Sequence, residues 1–150
     1  VKREYLELTR LIERLHRRFL DVLRVELGRM GIKELNAVQA LLLSNIGAEE
    51  IAIRDLVERG YYQGSNVSYN IKKMTDMGYL EQERSQHDRR SVTVRLTPKA
   101  LDVVKRVHEL EDANAANIES SGIHPPELAL ATETLRRVEQ LWAEHIRYGG

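Results

Sequence analysis

Residues 64–98 read GSNVSYNIKKMTDMGYLEQERSQHDRRSVTVRLTP. Ser65 is a good N-cap for a helix running to about Met77, and Gly78 stands where a helix-ending, left-handed glycine belongs. Within that helix Val67, Ile71 and Met74 recur at steps of four and three and form an inward stripe. Asn66, Ser68, Tyr69, Lys72 and Lys73 face outward. A strand, the loop Gln86-His87-Asp88-Arg89-Arg90 and a return strand follow. In the return strand Val92, Val94 and Leu96 alternate with Thr93 and Arg95, the period-two pattern of a half-buried strand. A polar-faced helix followed directly by a basic hairpin is suited to touch a DNA duplex twice. The helix fits the major groove, and the arginine-tipped hairpin fits the neighbouring minor groove, where negative potential is focused.

Upstream, Tyr5, Leu8, Ile12, Leu15, Phe19, Val22, Leu23 and Leu27 trace one helical stripe that ends near Gly28. Arg3, Glu7, Arg10, Arg14, Arg18 and Asp21 occupy the opposite face. A helix of this length on so small a domain is expected to pack against something beyond it. Asn36 caps a second helix, Ala37 to about Ile46, whose Leu41-Leu42-Leu43 run argues for burial on several sides; Asn45 and Gly47 end it. Residues 50–53 suit either a short strand or an approach to the next helix. Residues 54–59 form that short helix, stopped by Gly60, and residues 61–64 form a turn.

Downstream, Thr97 caps a long helix with Pro98 at its first position. Its inward set is expected to be Leu101, Val104, Val107 or His108, and Leu110 or Glu111. Its polar tail thins toward Gly122. Pro125-Pro126 open a last helix bearing Leu128, Ala131, Leu135, Val138, Leu141 and Trp142. The expected fold is mainly α (α+β): a winged helix-turn-helix with N- and C-terminal dimerisation helices. Residues 1–150 make one domain, with 34–106 as the DNA-binding region and 1–33 and 107–150 as helical dimerisation elements. Folding the two long apolar stripes together, and doubling them across a two-fold axis, would bury them.

Bulk properties bound the function. At 150 residues, 31% charged and 42% apolar, the chain is a folded domain of ordinary composition. No run approaches the roughly 18 apolar residues of a membrane span, and the first residues, VKREYLEL, lack a signal-peptide core, so a cytoplasmic protein without a membrane partner is expected. The absence of cysteine excludes disulfides, thiolate zinc sites and thiol redox switching. Formal net charge is zero, yet residues 61–106 hold nine Lys/Arg against five Asp/Glu, a net of +4. From Val107 onward three Lys/Arg face eight Asp/Glu, a net of −5. Local field, not total charge, attracts phosphate.

These residues resemble the MarR family of bacterial transcription regulators over most of the chain. Leu35-Asn36-Ala37-Val38-Gln39-Ala40-Leu41-Leu42-Leu43 is similar to the family's L-T-x-x-Q-x-x-V-L helix, with Asn in place of the Thr cap. Val67-Ser68 falls where its recognition helix has V-S or V-T, and Gly78-Tyr79-Leu80 matches the G-L-V that ends it. Asp88-Arg89-Arg90 followed by Leu96-Thr97 resembles the D-R-R…L-T wing, the most specific signal. Tyr69 stands where Arg is frequent and Asn70 where Leu is common, differences that bear on the operator and on local packing. Pro98-Lys99 replaces the frequent Gly after L-T, which is expected to affect a helix start and not chemistry.

The resemblance implies a homodimer on a pseudo-palindromic operator in double-stranded DNA, with recognition helices in major grooves and each Arg90 in a minor groove. The expected DNA-binding residues are Ser65, Asn66, Ser68, Tyr69, Lys72, Lys73, His87, Asp88, Arg89 and Arg90. Ser65 is as well explained as a cap, Tyr69 as packing beneath the wing, and Lys72-Lys73 alone as a solvated face. Asp88 would orient the Arg90 guanidinium through a charge-assisted pair, and His87 would reach phosphate. The resemblance also implies an effector pocket between the dimer helices and the reading head that takes small aromatic acids. His16, Phe19 and Leu43 are its candidate walls, although core packing explains them equally. The expected function is a dimeric repressor tuned by a small molecule; a MarR-like activator and a winged-helix protein-interaction module are the alternatives.

No enzyme, cofactor or metal site is expected. There is no G-x-S-x-G, phosphate-cradling glycine loop or H-E-x-x-H, and His16, His87, His108, His124 and His145 form no helical ligand pair.

Overall fold

The computed structural model describes residues 1–47, 50–58, 64–84 and 91–149, without the side chain of Ser65. Among them the elements run α1 (Lys2–Arg29), α2 (Ala37–Ile46), β1 (Ile51–Ala52), α3 (Ile53–Glu58), α4 (Gly64–Asp76), β2 (Leu80–Arg84), β3 (Val92–Leu96), α5 (Pro98–Ser120) and α6 (Pro125–Tyr148). The contacts divide the chain into two compact units, Val1–Leu110 and Glu111–Gly150. The architecture is mostly helical with a small antiparallel sheet, as the sequence predicts. The stretch left open at residues 50–53 resolves as strand β1 leading into α3.

In the first unit α2 starts on a capping box. The Asn36 Oδ1 accepts the Gln39 backbone N–H at 2.8 Å, and the Gln39 Oε1 accepts the Asn36 N–H at 3.0 Å. Reciprocal satisfaction of two otherwise orphaned donors is worth about 1 kcal/mol. Helix α2 ends at Gly47, whose φ of 79° suits glycine. Leu42 and Leu43 are fully buried and Leu41 partly so, which accounts for the uniformly apolar run.

One core joins Leu23 and Leu27 of α1, Leu42, Leu43 and Ile46 of α2, Leu56 of α3, Val67, Ile71 and Met74 of α4, and Val94 of β3. Each such side chain contributes roughly 1.5–3 kcal/mol by leaving water. The inward stripe of α5 is Ala100, Val103, Val104 and Val107. Leu101 is therefore not inward: it sits about 100° around the helix from Ala100 and is exposed. Val107 is buried and His108 exposed, Leu110 half-buried and Glu111 exposed.

The sheet order is β1-β3-β2, antiparallel throughout. Its register pairs Leu80 with Leu96, Glu81 with Arg95 and Arg84 with Val92. Helix α4 ends in a 6→1 and 5→2 pattern, Tyr79 N–H to Met74 O at 2.9 Å and Gly78 N–H to Thr75 O at 3.1 Å, with Gly78 at φ 85°. That turn feeds the chain directly into β2.

The second unit consists of the end of α5, a turn at Gly122 and α6. The backbone N–H of His124 donates to Glu127 Oε1 at 3.1 Å ahead of Pro125-Pro126, and Gly149 closes the helix in the left-handed conformation. No residue of α6 is buried.

Candidate nucleic-acid interface

Helix α4 presents one apolar and one polar face. Val67, Ile71 and Met74 are fully buried against the core, while Asn66, Ser68, Tyr69, Lys72 and Lys73 are exposed. Tyr69 is 64% exposed, so it does not pack beneath a strand; the Lys73 ammonium lies 5.9 Å from its ring centroid. Among the described residues neither Lys72 nor Lys73 forms an ion pair. The helix already begins at Gly64, so Ser65 falls in its first turn and not before it. Residues 85–90, with His87, Asp88, Arg89 and Arg90, lie outside the described residues, as do residues 61–63 of the turn expected at 61–64.

The hairpin is tied to α4 by side chains. Gln82 Nε2 on β2 donates to Thr75 Oγ1 at 2.9 Å, and that hydroxyl donates to the Ile71 carbonyl at 2.7 Å. Thr97 Oγ1 donates to the Gly78 carbonyl at 2.7 Å and accepts the Ala100 N–H at 3.3 Å, so the predicted cap of α5 also grips the end of α4.

Lys99 does more than start a helix, contrary to the sequence expectation. Its ammonium donates to the Met77 carbonyl at 2.9 Å, reaches Glu34 Oε1 at 3.1 Å and stands 4.3 Å from the centroid of the Tyr79 ring. Tyr79 is buried, and its hydroxyl donates to the same Glu34 oxygen. The Tyr79 hydrogen bond, then that of Lys99, holds the Glu34 carboxyl below the usual carboxylate range. Burial, then Glu34, pushes the Tyr79 phenol well above its ordinary value. A cation at the C-terminal end of α4 also complements the helix dipole. Glu34 could not have been found from the recognition segment, because it sits 45 residues before Tyr79.

The fold also revises the charge reading. Arg95 pairs with Glu81 across the strands at 2.8 Å and reaches Glu50 at 4.0 Å, which raises its pKa further. Arg106 lies 3.9 Å from Glu26. Among the described residues, Arg95, Lys99 and Arg106 thus have acidic partners, and Glu26, Glu34 and Glu50 are brought in from outside residues 61–106. The linear +4 overstates the field, while Lys72 and Lys73 of α4 form no ion pair among the described residues.

Leu43 is a fully buried core residue of α2, whereas His16 and Phe19 are exposed on α1. No group of three or more metal-ligating side chains occurs among the described residues. Nor is any helix among them long and apolar enough to cross a membrane.

The geometry is that of a winged-helix DNA-binding unit, and a family model described as a winged helix DNA-binding domain matches residues 35–100. A curated relative, the exopolysaccharide II synthesis transcriptional activator ExpG of Rhizobium meliloti (strain 1021), is 34% identical over 145 residues, covering 97% of this chain and 75% of ExpG. Two of the solved structures that share the fold hold DNA. One is Streptococcus pneumoniae FabT in complex with DNA, with a TM-score of 0.72 and 20% identity over 93% of this chain and 98% of FabT. The other is a mutant of E. coli MarR complexed with operator DNA, with a TM-score of 0.71 and 20% identity over 90% of this chain and 95% of MarR. The chain belongs to the MarR family of winged-helix DNA-binding transcription regulators, and members of that class are not enzymes.

Proposed function

We propose that this chain is a homodimeric regulator of a pseudo-palindromic operator in double-stranded DNA. One α4 enters each of two major grooves, and the hairpin tip bearing Arg90 enters the adjacent minor groove. The observation that carries this is the exposed row Asn66, Ser68, Tyr69, Lys72 and Lys73 on a helix whose other face is locked into the core. Amide, hydroxyl and phenol groups suit base edges, while unpaired lysines neutralise phosphate. The DNA complexes of FabT and MarR agree with this reading. His87, Asp88, Arg89 and Ser65 complete the proposed contact set.

Dimerisation is supported by the apolar side chains left exposed on α1 and α6, including Leu15, Phe19, Leu130 and Leu141. In this reading residues 1–33 and 107–150 pair the two protomers, and 34–106 read the operator. The sequence put repression first and activation second; the ExpG relationship reverses that order and favours an activator. A small aromatic effector would act by population shift, favouring a recognition-helix spacing that misfits the half-sites. His16 and Phe19 are its accessible candidates. A DNA-binding regulator of this kind acts in the cytoplasm.

Selection of bound duplexes from a random pool, with and without small aromatic acids, tests the whole reading. A two-fold symmetric consensus whose affinity falls steeply with salt is the expected outcome. Weak, salt-insensitive duplex binding would overturn it in favour of a protein-interaction module.

A further inference from the structure

Gln39 is the one buried polar side chain among the described residues, 2% exposed, and all its side-chain polar atoms are engaged. Its carbonyl closes the capping box of α2, and its amide Nε2 donates to Asn70 Oδ1 of α4 at 3.1 Å. That bond spans 31 residues and links a fixed helix start to the middle of the DNA-facing helix. Asn70 is half-buried, immediately after exposed Tyr69 and immediately before buried Ile71. It therefore sits on the border between the two faces of α4.

The inward residues of α4 are a valine, an isoleucine and a methionine in a shared apolar core. Apolar contact is non-directional and tolerates small rotations of a helix about its own axis. A hydrogen bond is directional and does not. A rotation of about 10° displaces side-chain tips some 6 Å from the axis by roughly 1 Å, enough to lose a base-edge hydrogen bond. We propose that Gln39 and Asn70 are positioning residues for base reading: their bond sets the rotation of α4 and so decides which base pairs Asn66, Ser68 and Tyr69 discriminate. The inference rests on the DNA-binding reading above. It also gives Asn70, which departs from the family's Leu, a partner in the buried amide of α2.

The test uses the full chain, the duplex it selects from a random pool, and that duplex with single base pairs changed in a half-site. Gln39→Met removes the bond from a buried position that cannot itself touch DNA. It should lower the affinity ratio between the selected and altered duplexes about tenfold, while non-specific binding and its salt slope stay unchanged. Gln39→Met combined with Asn70→Leu replaces both partners by apolar groups and should restore the thermal midpoint without restoring the ratio. A purely structural bond would restore both, and that result overturns the proposal. An unchanged ratio in Gln39→Met also overturns it, and would assign any effect of Asn70→Ala to direct contact. Should Gln39→Met fail to fold, Asn70→Ala serves: the same tenfold loss is expected, and a wild-type ratio sinks the idea. Failure of the unaltered chain to bind any duplex in a salt-dependent way overturns the DNA reading, and the positioning role with it.

Discussion

Between Leu35 and Val107 most of the described apolar residues are buried, whereas along α6 none is. In the reading head Leu42, Leu43, Val67, Ile71 and Met74 are fully buried, and the buried amide of Gln39 is satisfied. In α6 nothing is buried, and Leu130 and Leu141 remain 64% and 65% exposed. Helix α4 of the head and α6 follow the same helical period of apolar residues. The head meets its complement within one chain. The terminal helix carries a stripe that nothing in its own unit covers, and a second protomer is the proposed cover.

The largest test of this contrast is removal of the terminal helix. Ending the chain at residue 119 should abolish the dimer, giving a monomer or an aggregate by sedimentation, and a stable dimer would break the contrast outright. Next in size, Leu43→Ala in the head should lower unfolding free energy by about 2–5 kcal/mol in denaturant titration, with a proportionate cavity. The equivalent change at exposed Leu130 should leave the head's own unfolding within about 0.5 kcal/mol. Equal effects at the two positions would erase the distinction.

Arg90→Ala should weaken operator binding by about 1–3 kcal/mol with dimerisation intact, and normal affinity would remove the wing from the interface. Lys72→Ala should act more weakly, lowering affinity across all sequences and reducing the salt slope by about one unit.

The smallest effect concerns Glu34. Its carboxyl is held below the ordinary range when folded, so it binds protons more readily when unfolded. The resulting stabilisation is present above the unfolded carboxylate value of about 4.3 and is lost as pH falls through the lower folded value. Glu34→Gln should therefore lower thermal stability slightly on the neutral plateau, and the difference from the parent chain should vanish as pH falls through the acid limb.

Much of this was legible beforehand because it is local. Asn36 and Thr97 as caps, Gly78 as a terminator, and the Val67-Ile71-Met74 stripe follow from chemistry within a few residues of each position. The inward face of α5 was misread at Leu101. Both Leu101 and Val104 fit a helical period, and only the packing partner selects the phase. Lys99 was dismissed for a related reason. Its partners are the Met77 carbonyl and Glu34, and neither is near it in sequence. The charge of the middle segment was overstated because acids at 26, 34 and 50 fold onto it from elsewhere.

The sequence by itself determined most of the helix boundaries, the apolar face of α4, and the order of a polar-faced helix followed by a basic hairpin. Those properties depend on backbone conformation and on the 3.6- and 2-residue periods, which are written residue by residue. Only the tertiary structure decided that Arg95, Lys99 and Arg106 meet acidic partners. It likewise decided that Gln39 meets Asn70 and that Leu43 belongs to the core. Charge compensation and hydrogen bonding depend on distances across the fold, and a linear pattern does not contain them.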